Sequence, residues 1–136
     1  ALVPILKIQG QDFKNLKINK TYGPDGVEFA SLFFEYENSN AIVNVGNSIR
    51  VDNQLEIIGT EGTIRSKDKW WRGNYFEVER TDADHIEVYN TNYAGNGFKY
   101  LLKAVSIMLT NDRIDSMGVF EDESVKIAEI MEKVNS

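Results

Sequence analysis

Two long strand-like runs, Val27 to Glu37 and Ala41 to Val51, stand either side of Asn38-Ser39-Asn40, and this pair constrains the chain more than any other feature. Both read as strands, and a short polar link between such runs is the signature of an antiparallel hairpin. A link of two or four residues puts Ala30, Leu32, Phe34 and Tyr36 on the same face as Ala41, Val43, Val45 and Ile49. That face is almost purely apolar and must meet a core, because a one-residue slip would send the whole set to the other side. The opposite face then holds Phe29, Ser31, Phe33 and Glu35 beside Ile42, Asn44, Gly46, Ser48 and Arg50. Two phenylalanines on the second face point to packing inside the domain or to a partner surface.

Around the hairpin the pattern continues as strands first and helices last. Leu16 and Ile18 alternate with Lys17 and Asn19 within a strand predicted over Phe13 to Tyr22, which Tyr22-Gly23-Pro24-Asp25-Gly26 ends as a loop. Further strands are expected at Gln54 to Gly59, Gly62 to Ser66, Tyr75 to Arg80 and His85 to Asn90. Beyond Tyr93 the period becomes helical: Phe98, Leu101, Leu102, Val105, Met108 and Leu109 follow Asn96, a candidate cap, and the helix stops near Asn111. A second helix is expected from about Asp122 to Val134, with Glu121 to Glu123 beside the positive end of its dipole. The apolar start, ALVPILKI, reads as a short buried helix, Pro4 suiting a first turn. The class is therefore α+β: an open, predominantly antiparallel sheet with helices packed on one face and the other face available.

The length of 136 residues fits one domain, and a chain opening on Ala1 inside an apolar element is expected to be a fragment. A net charge of −6 repels nucleic acid and anionic membranes, and no apolar run is long enough to span a bilayer. With no cysteine and one histidine, thiolate chemistry and zinc are disfavoured, and a cytoplasmic location is expected.

Chemical motifs are sparse. Gly95-Asn96-Gly97 opens a helix, but Tyr100 stands where a dinucleotide fingerprint needs a small residue, so no cofactor site is expected in this chain. Asp82, Asp84 and His85 read as a hairpin tip in preference to a metal or acid–base group. Trp70 and Trp71, with Tyr75 and Phe76, form the densest aromatic group, suited to core or interface burial or to stacking on sugar rings, and Arg72 beside them is a substrate clamp or a rim contact.

The order of these features resembles the C-terminal domain of the glucose–fructose oxidoreductase, inositol dehydrogenase and rhizopine-catabolism (Gfo/Idh/MocA) family. The resemblance spans nearly the whole chain through VEFASLFFEYENSNAIVNVGNSI, LEIIGTEGTIRS followed by WW, YAGNGFKYLLKAVSIML and the closing KIAEIMEKV. Its most specific part is Ile57-Ile58-Gly59-Thr60-Glu61-Gly62-Thr63-Ile64, similar to the family's strand-turn-strand signature; Leu101 departs from the glutamate usual after the tyrosine of Gly97-Phe98-Lys99-Tyr100. The resemblance implies a parent NAD(P)-dependent sugar or polyol dehydrogenase, whose N-terminal Rossmann domain and catalytic lysine and histidine or tyrosine lie upstream of Ala1. It also implies that this domain supplies substrate-pocket walls and a sheet for homo-oligomerisation as dimer or tetramer.

Asn47, Arg50, Trp71 and Tyr93 are the residues expected near a substrate, and Phe29, Ser31, Phe33, Ile42 and Asn44 those expected at an oligomer interface. No catalytic, cofactor-binding or metal-binding residue is expected in the chain itself. The competing expectation is a stand-alone carbohydrate-binding or assembly module without catalysis, motivated by the tryptophan pair.

Overall fold

The computed structural model describes residues 1–47, 53–67, 69–91, 95, 97–110 and 121–136. Ser48, Ile49, Arg50, Val51, Tyr93, Asn96 and Asn111, all used in the sequence reading, lie outside the described residues. The chain divides into two compact units, Ala1–Val51 with Ala104–Ser136, and Asp52–Lys103. The class is α+β, every paired strand is antiparallel, and the strands form two open sheets.

In the first unit β1 (Asn15–Gly23), β2 (Gly26–Glu35) and β3 (Asn40–Gly46) lie in the order β1-β2-β3. Glu35 pairs with Asn40, so the β2–β3 link is the four residues Tyr36 to Ser39, which is one of the two lengths that puts the apolar set on one side. Ala30 faces Val45, Leu32 faces Val43 and Phe34 faces Ala41, while Leu16 and Ile18 of β1 join from the other flank. Two helices, α1 (Leu2–Gln9) and α3 (Glu121–Asn135), supply the rest of this core. Each contributes a buried i, i+4 pair, Leu2 with Leu6 and Ile130 with Val134, as one face of a helix must. Ala30, Leu32, Phe34 and Val43 are buried in one cluster with Leu2, Ile130 and Val134. Phe13 packs edge-on to Phe34 at 5.3 Å between ring centroids. Burying side chains of the size of Phe34 and Ile130 contributes about 1.5–3 kcal/mol each.

The acidic start of α3 does more than oppose a dipole at the surface. Glu123 retains only 8% exposure and its carboxylate meets Lys7 Nζ at 2.7 Å. Lys7 belongs to the last turn of α1 and Glu123 to the first turn of α3, so each charge also favours its own helix end. Beside them the Gln11 amide donates to Asp122 at 2.8 Å, which holds the Asp122 carboxyl below the usual range.

The second unit is a meander of β4 (Leu55–Gly59), β5 (Gly62–Ser66), β6 (Tyr75–Arg80) and β7 (Ile86–Asn90), with a single 3-10 turn at Trp70–Arg72. Ile57 faces Ile64, Ile64 faces Val78, and Phe76 faces Tyr89, giving an apolar side. Glu56, Arg65, Glu77 and Glu79 occupy the other. There Arg65 reaches Glu56 at 2.6 Å and Glu79 at 2.7 Å.

The remaining helix, α2 (Phe98–Thr110), buries none of its residues; Leu101, Leu102, Val105 and Leu109 of its predicted apolar row stand exposed. No helix among the described residues is long and apolar enough to cross a membrane.

Candidate functional site

The three-stranded sheet of the first unit has a second face, and its composition follows from the register that fills the core. Phe29 faces Gly46, Ser31 faces Asn44, and Phe33 faces Ile42, so all five residues expected at an interface share one side. From β1 the same side receives Thr21, Asn19 and Lys17, opposite Phe29, Ser31 and Phe33. The Ser31 hydroxyl donates to Asn44 Oδ1 at 2.7 Å, which pairs the two side chains in the middle of the patch. Lys17 Nζ stands 5.8 Å from the Phe33 ring centroid, held at its other side by Glu35 at 3.3 Å. Ile42 keeps 64% of its surface exposed beside them. The face thus joins the Ser31–Asn44 and Lys17–Glu35 pairs to half-buried Phe29 and Phe33 and exposed Ile42.

Of the residues expected near a substrate, Asn47 follows β3 and donates its backbone N–H to the Glu28 carbonyl at 2.9 Å. Its side chain is exposed. Trp71 belongs to the other unit, in the 3-10 turn, where Trp70 meets it edge-on at 6.0 Å and 56% of its surface remains open. That turn is closed by the Gly73 N–H donating to the Trp70 carbonyl at 3.0 Å, and it is entered through Lys69 at φ 54, a left-handed conformation uncommon for a lysine. Arg50 and Tyr93 lie outside the described residues.

Next to the tryptophans a polar cluster forms at the start of β6. The Tyr75 hydroxyl donates to Glu77 at 2.6 Å and Lys67 reaches the same carboxylate at 2.9 Å. These two bonds hold the Glu77 carboxyl below the usual range, and the same contact with Glu77 holds the Tyr75 hydroxyl above its own. Tyr75 and Glu77 share one face of β6 two residues apart, a spacing visible in the sequence, whereas Lys67 joins them from the β5–β6 connection, which periodicity does not reveal.

Two other features are weaker as sites. A surface depression of about 580 Å3 is lined by Gln11, Glu121, Asp122, Val125, Lys126 and Glu129. Four of its polar residues are engaged with one another, Asp122 with Gln11 and Lys126 with Glu129 at 3.3 Å. Asp82, Asp84 and His85 lie in the β6–β7 turn, where Asp82 pairs with Arg80 at 3.2 Å. Among the described residues no three His, Cys, Asp or Glu are grouped to hold a metal ion. In comparison with known proteins, no family model and no curated protein matches this chain.

Proposed function

We propose that the chain is the sheet-forming C-terminal domain of a cytoplasmic NAD(P)-dependent oxidoreductase acting on a sugar, polyol or related hydroxy compound. In this reading a Rossmann domain earlier in the protein holds the nicotinamide, and the present residues furnish pocket walls and an oligomerisation surface. The observation that carries the reading is the β4–β5 hairpin, the most specific part of the Gfo/Idh/MocA resemblance. Gly59 pairs with Gly62 across its turn, and a Cβ on Gly62 would stand 2.2 Å from the Glu79 carbonyl oxygen. The glycine in that signature is thus compulsory for three strands to lie together. The sheet face with exposed Ile42 beside half-buried Phe29 and Phe33 supports the oligomerisation role, and the exposed apolar row of α2 supports a surface that another domain covers.

Chemistry in such an enzyme is hydride transfer between nicotinamide and a carbinol carbon, with a side chain taking the hydroxyl proton. The test is a fluorescence titration of these 136 residues with NADH and NADPH, beside an assay of the full reading frame with a panel of sugars and polyols. The reading expects no nicotinamide binding by the 136 residues and polyol-dependent NAD(P)+ reduction by the full protein. Tight NADH binding by the chain alone, or a full protein that binds no nicotinamide, overturns it.

A second reading, a carbohydrate-binding or assembly module without catalysis, is favoured by one observation, the openness of Trp71 beside Trp70. An exposed indole face stacks well on a sugar ring. Calorimetric titration of the chain with sugars separates the two readings: tight binding that disappears in Trp71→Ala selects the module.

A further inference from the structure

The outer edge of β7 is built differently from that of β1. The Thr91 N–H donates to the Asn74 carbonyl at 2.7 Å, which makes Thr91 and Asn74 a hydrogen-bonded pair of the β6–β7 ladder. In an antiparallel ladder such pairs alternate with pairs whose backbone groups point away. Tyr89 with Phe76 and Glu87 with Val78 are therefore bonded inward, and Ile86, Val88 and Asn90 turn their N–H and C=O groups to the free edge. Among the described residues no strand lies beyond them. The same residues carry exposed side chains, Ile86 at 53% and Val88 at 57%. β1, an edge of the other sheet, has Lys17 and Lys20 and a register shift between Thr21 and Tyr22, devices that discourage edge pairing. β7, reading IEVYN, has no lysine, proline or register shift.

We infer that β7 is a self-pairing edge, joining the same strand of a second copy of this chain antiparallel about Val88. Outward groups must pair with outward groups, and centring the pair on Val88 is the register that engages all three within β7. Val88 opposes Val88 of the second copy, Ile86 opposes its Asn90, and Asn90 opposes its Ile86, each pair exchanging two backbone hydrogen bonds. Every outward group of the strand is used. Glu87 then falls opposite Tyr89 of the second copy, the kind of residue whose hydroxyl it already accepts from, at 2.7 Å, within its own strand. Slipping each strand so that Ile86 opposes Val88 places Glu87 against Glu87, and like charges directly opposed are destabilising. Hydrogen bonding and charge thus favour the arrangement centred on Val88, since the opposite slip, with Tyr89 against Tyr89, leaves Ile86 without a partner in β7; it extends the four-stranded sheet across two copies. This surface is separate from the Phe29 and Phe33 face and does not depend on the oxidoreductase reading.

The test uses the whole chain, by sedimentation velocity over a concentration series and by amide hydrogen exchange resolved at Ile86, Val88 and Asn90. The expected result is concentration-dependent dimerisation with exchange at these three amides slowed about tenfold or more in the dimer. Val88→Lys puts a charge against its own copy and is expected to leave all three amides fast at every concentration; Val88→Pro removes an outward N–H without touching the β6 ladder and is expected to leave the Ile86 and Asn90 amides fast at every concentration. Val88→Lys alters only an exposed side chain, so its fold is checked by an unchanged circular dichroism spectrum. Phe33→Asp is expected to leave the β7 protection intact. Fast exchange at the three amides in the wild-type chain at all concentrations, or protection in Val88→Lys equal to wild type, overturns the inference.

Discussion

Gly62 shows how much one residue can carry in a four-stranded meander. At φ 151, with the Glu79 carbonyl where a methyl group would go, no other residue fits without moving β6. Gly62→Ala is expected to lower stability by roughly 1–3 kcal/mol, read as a shift in the urea midpoint; a wild-type midpoint would mean that β5 and β6 do not lie this close. The paired glycines of this turn are visible in the sequence, but the steric reason is not, since Glu79 comes from the next strand. Glu77 is partly legible, since Tyr75 stands two residues before it on the same strand while Lys67 comes from the β5–β6 connection. Its hydrogen bonds with Tyr75 and Lys67 depress its folded pKa, so its contribution is present above the unfolded carboxylate value and is lost as pH falls through the lower folded one. The fall in thermal midpoint on acidification is thus expected to be shallower in Glu77→Gln than in wild type, and equal slopes would remove the trio from the account of stability.

At the scale of elements, the hairpin shows what periodicity can fix and the helix ends show what it cannot. Alternation over Val27 to Glu37 and Ala41 to Val51, with a short polar link, was enough to sort Ala30, Leu32, Phe34, Ala41 and Val43 from Phe29, Ser31, Phe33, Ile42 and Asn44, because side chains in a strand have a strict period of two. Phe34→Ala is therefore expected to cost about 3–5 kcal/mol, and a loss below about 1 kcal/mol would place Phe34 outside a packed core. Glu121, Asp122 and Glu123 read as an acidic helix start beside the positive end of a dipole, yet Glu123 is also buried against Lys7. That contact joins residues more than a hundred positions apart, and no local pattern encodes it. Lys7→Ala is expected to cost about 1–3 kcal/mol, since a buried carboxylate loses its cation; a neutral effect in chemical denaturation would show the pair to be incidental. The apolar row of α2 was also legible from its spacing, but spacing alone does not say whether a row is covered within the chain or offered to another surface.

At the scale of the molecule, the strands first and helices last of the sequence order translate into an α+β chain with two separate antiparallel sheets and helices on one face of the first. The length leads one to expect a single domain, and within it the chain sorts into two compact units, Ala1–Val51 with Ala104–Ser136 and Asp52–Lys103. Function is less legible than fold because the residues that stand out, Phe29, Phe33, Ile42 and Trp71, build surfaces, and a surface takes its meaning from what covers it. The proposed role assigns hydride chemistry to another part of the protein and pocket walls to this one. The most direct measurement is NAD(P)+ reduction by the full reading frame with sugars and polyols, run beside an NADH titration of the 136 residues alone. The account predicts polyol-dependent reduction in the first and no binding in the second; nicotinamide binding by the 136 residues, or none by the full protein, would contradict it.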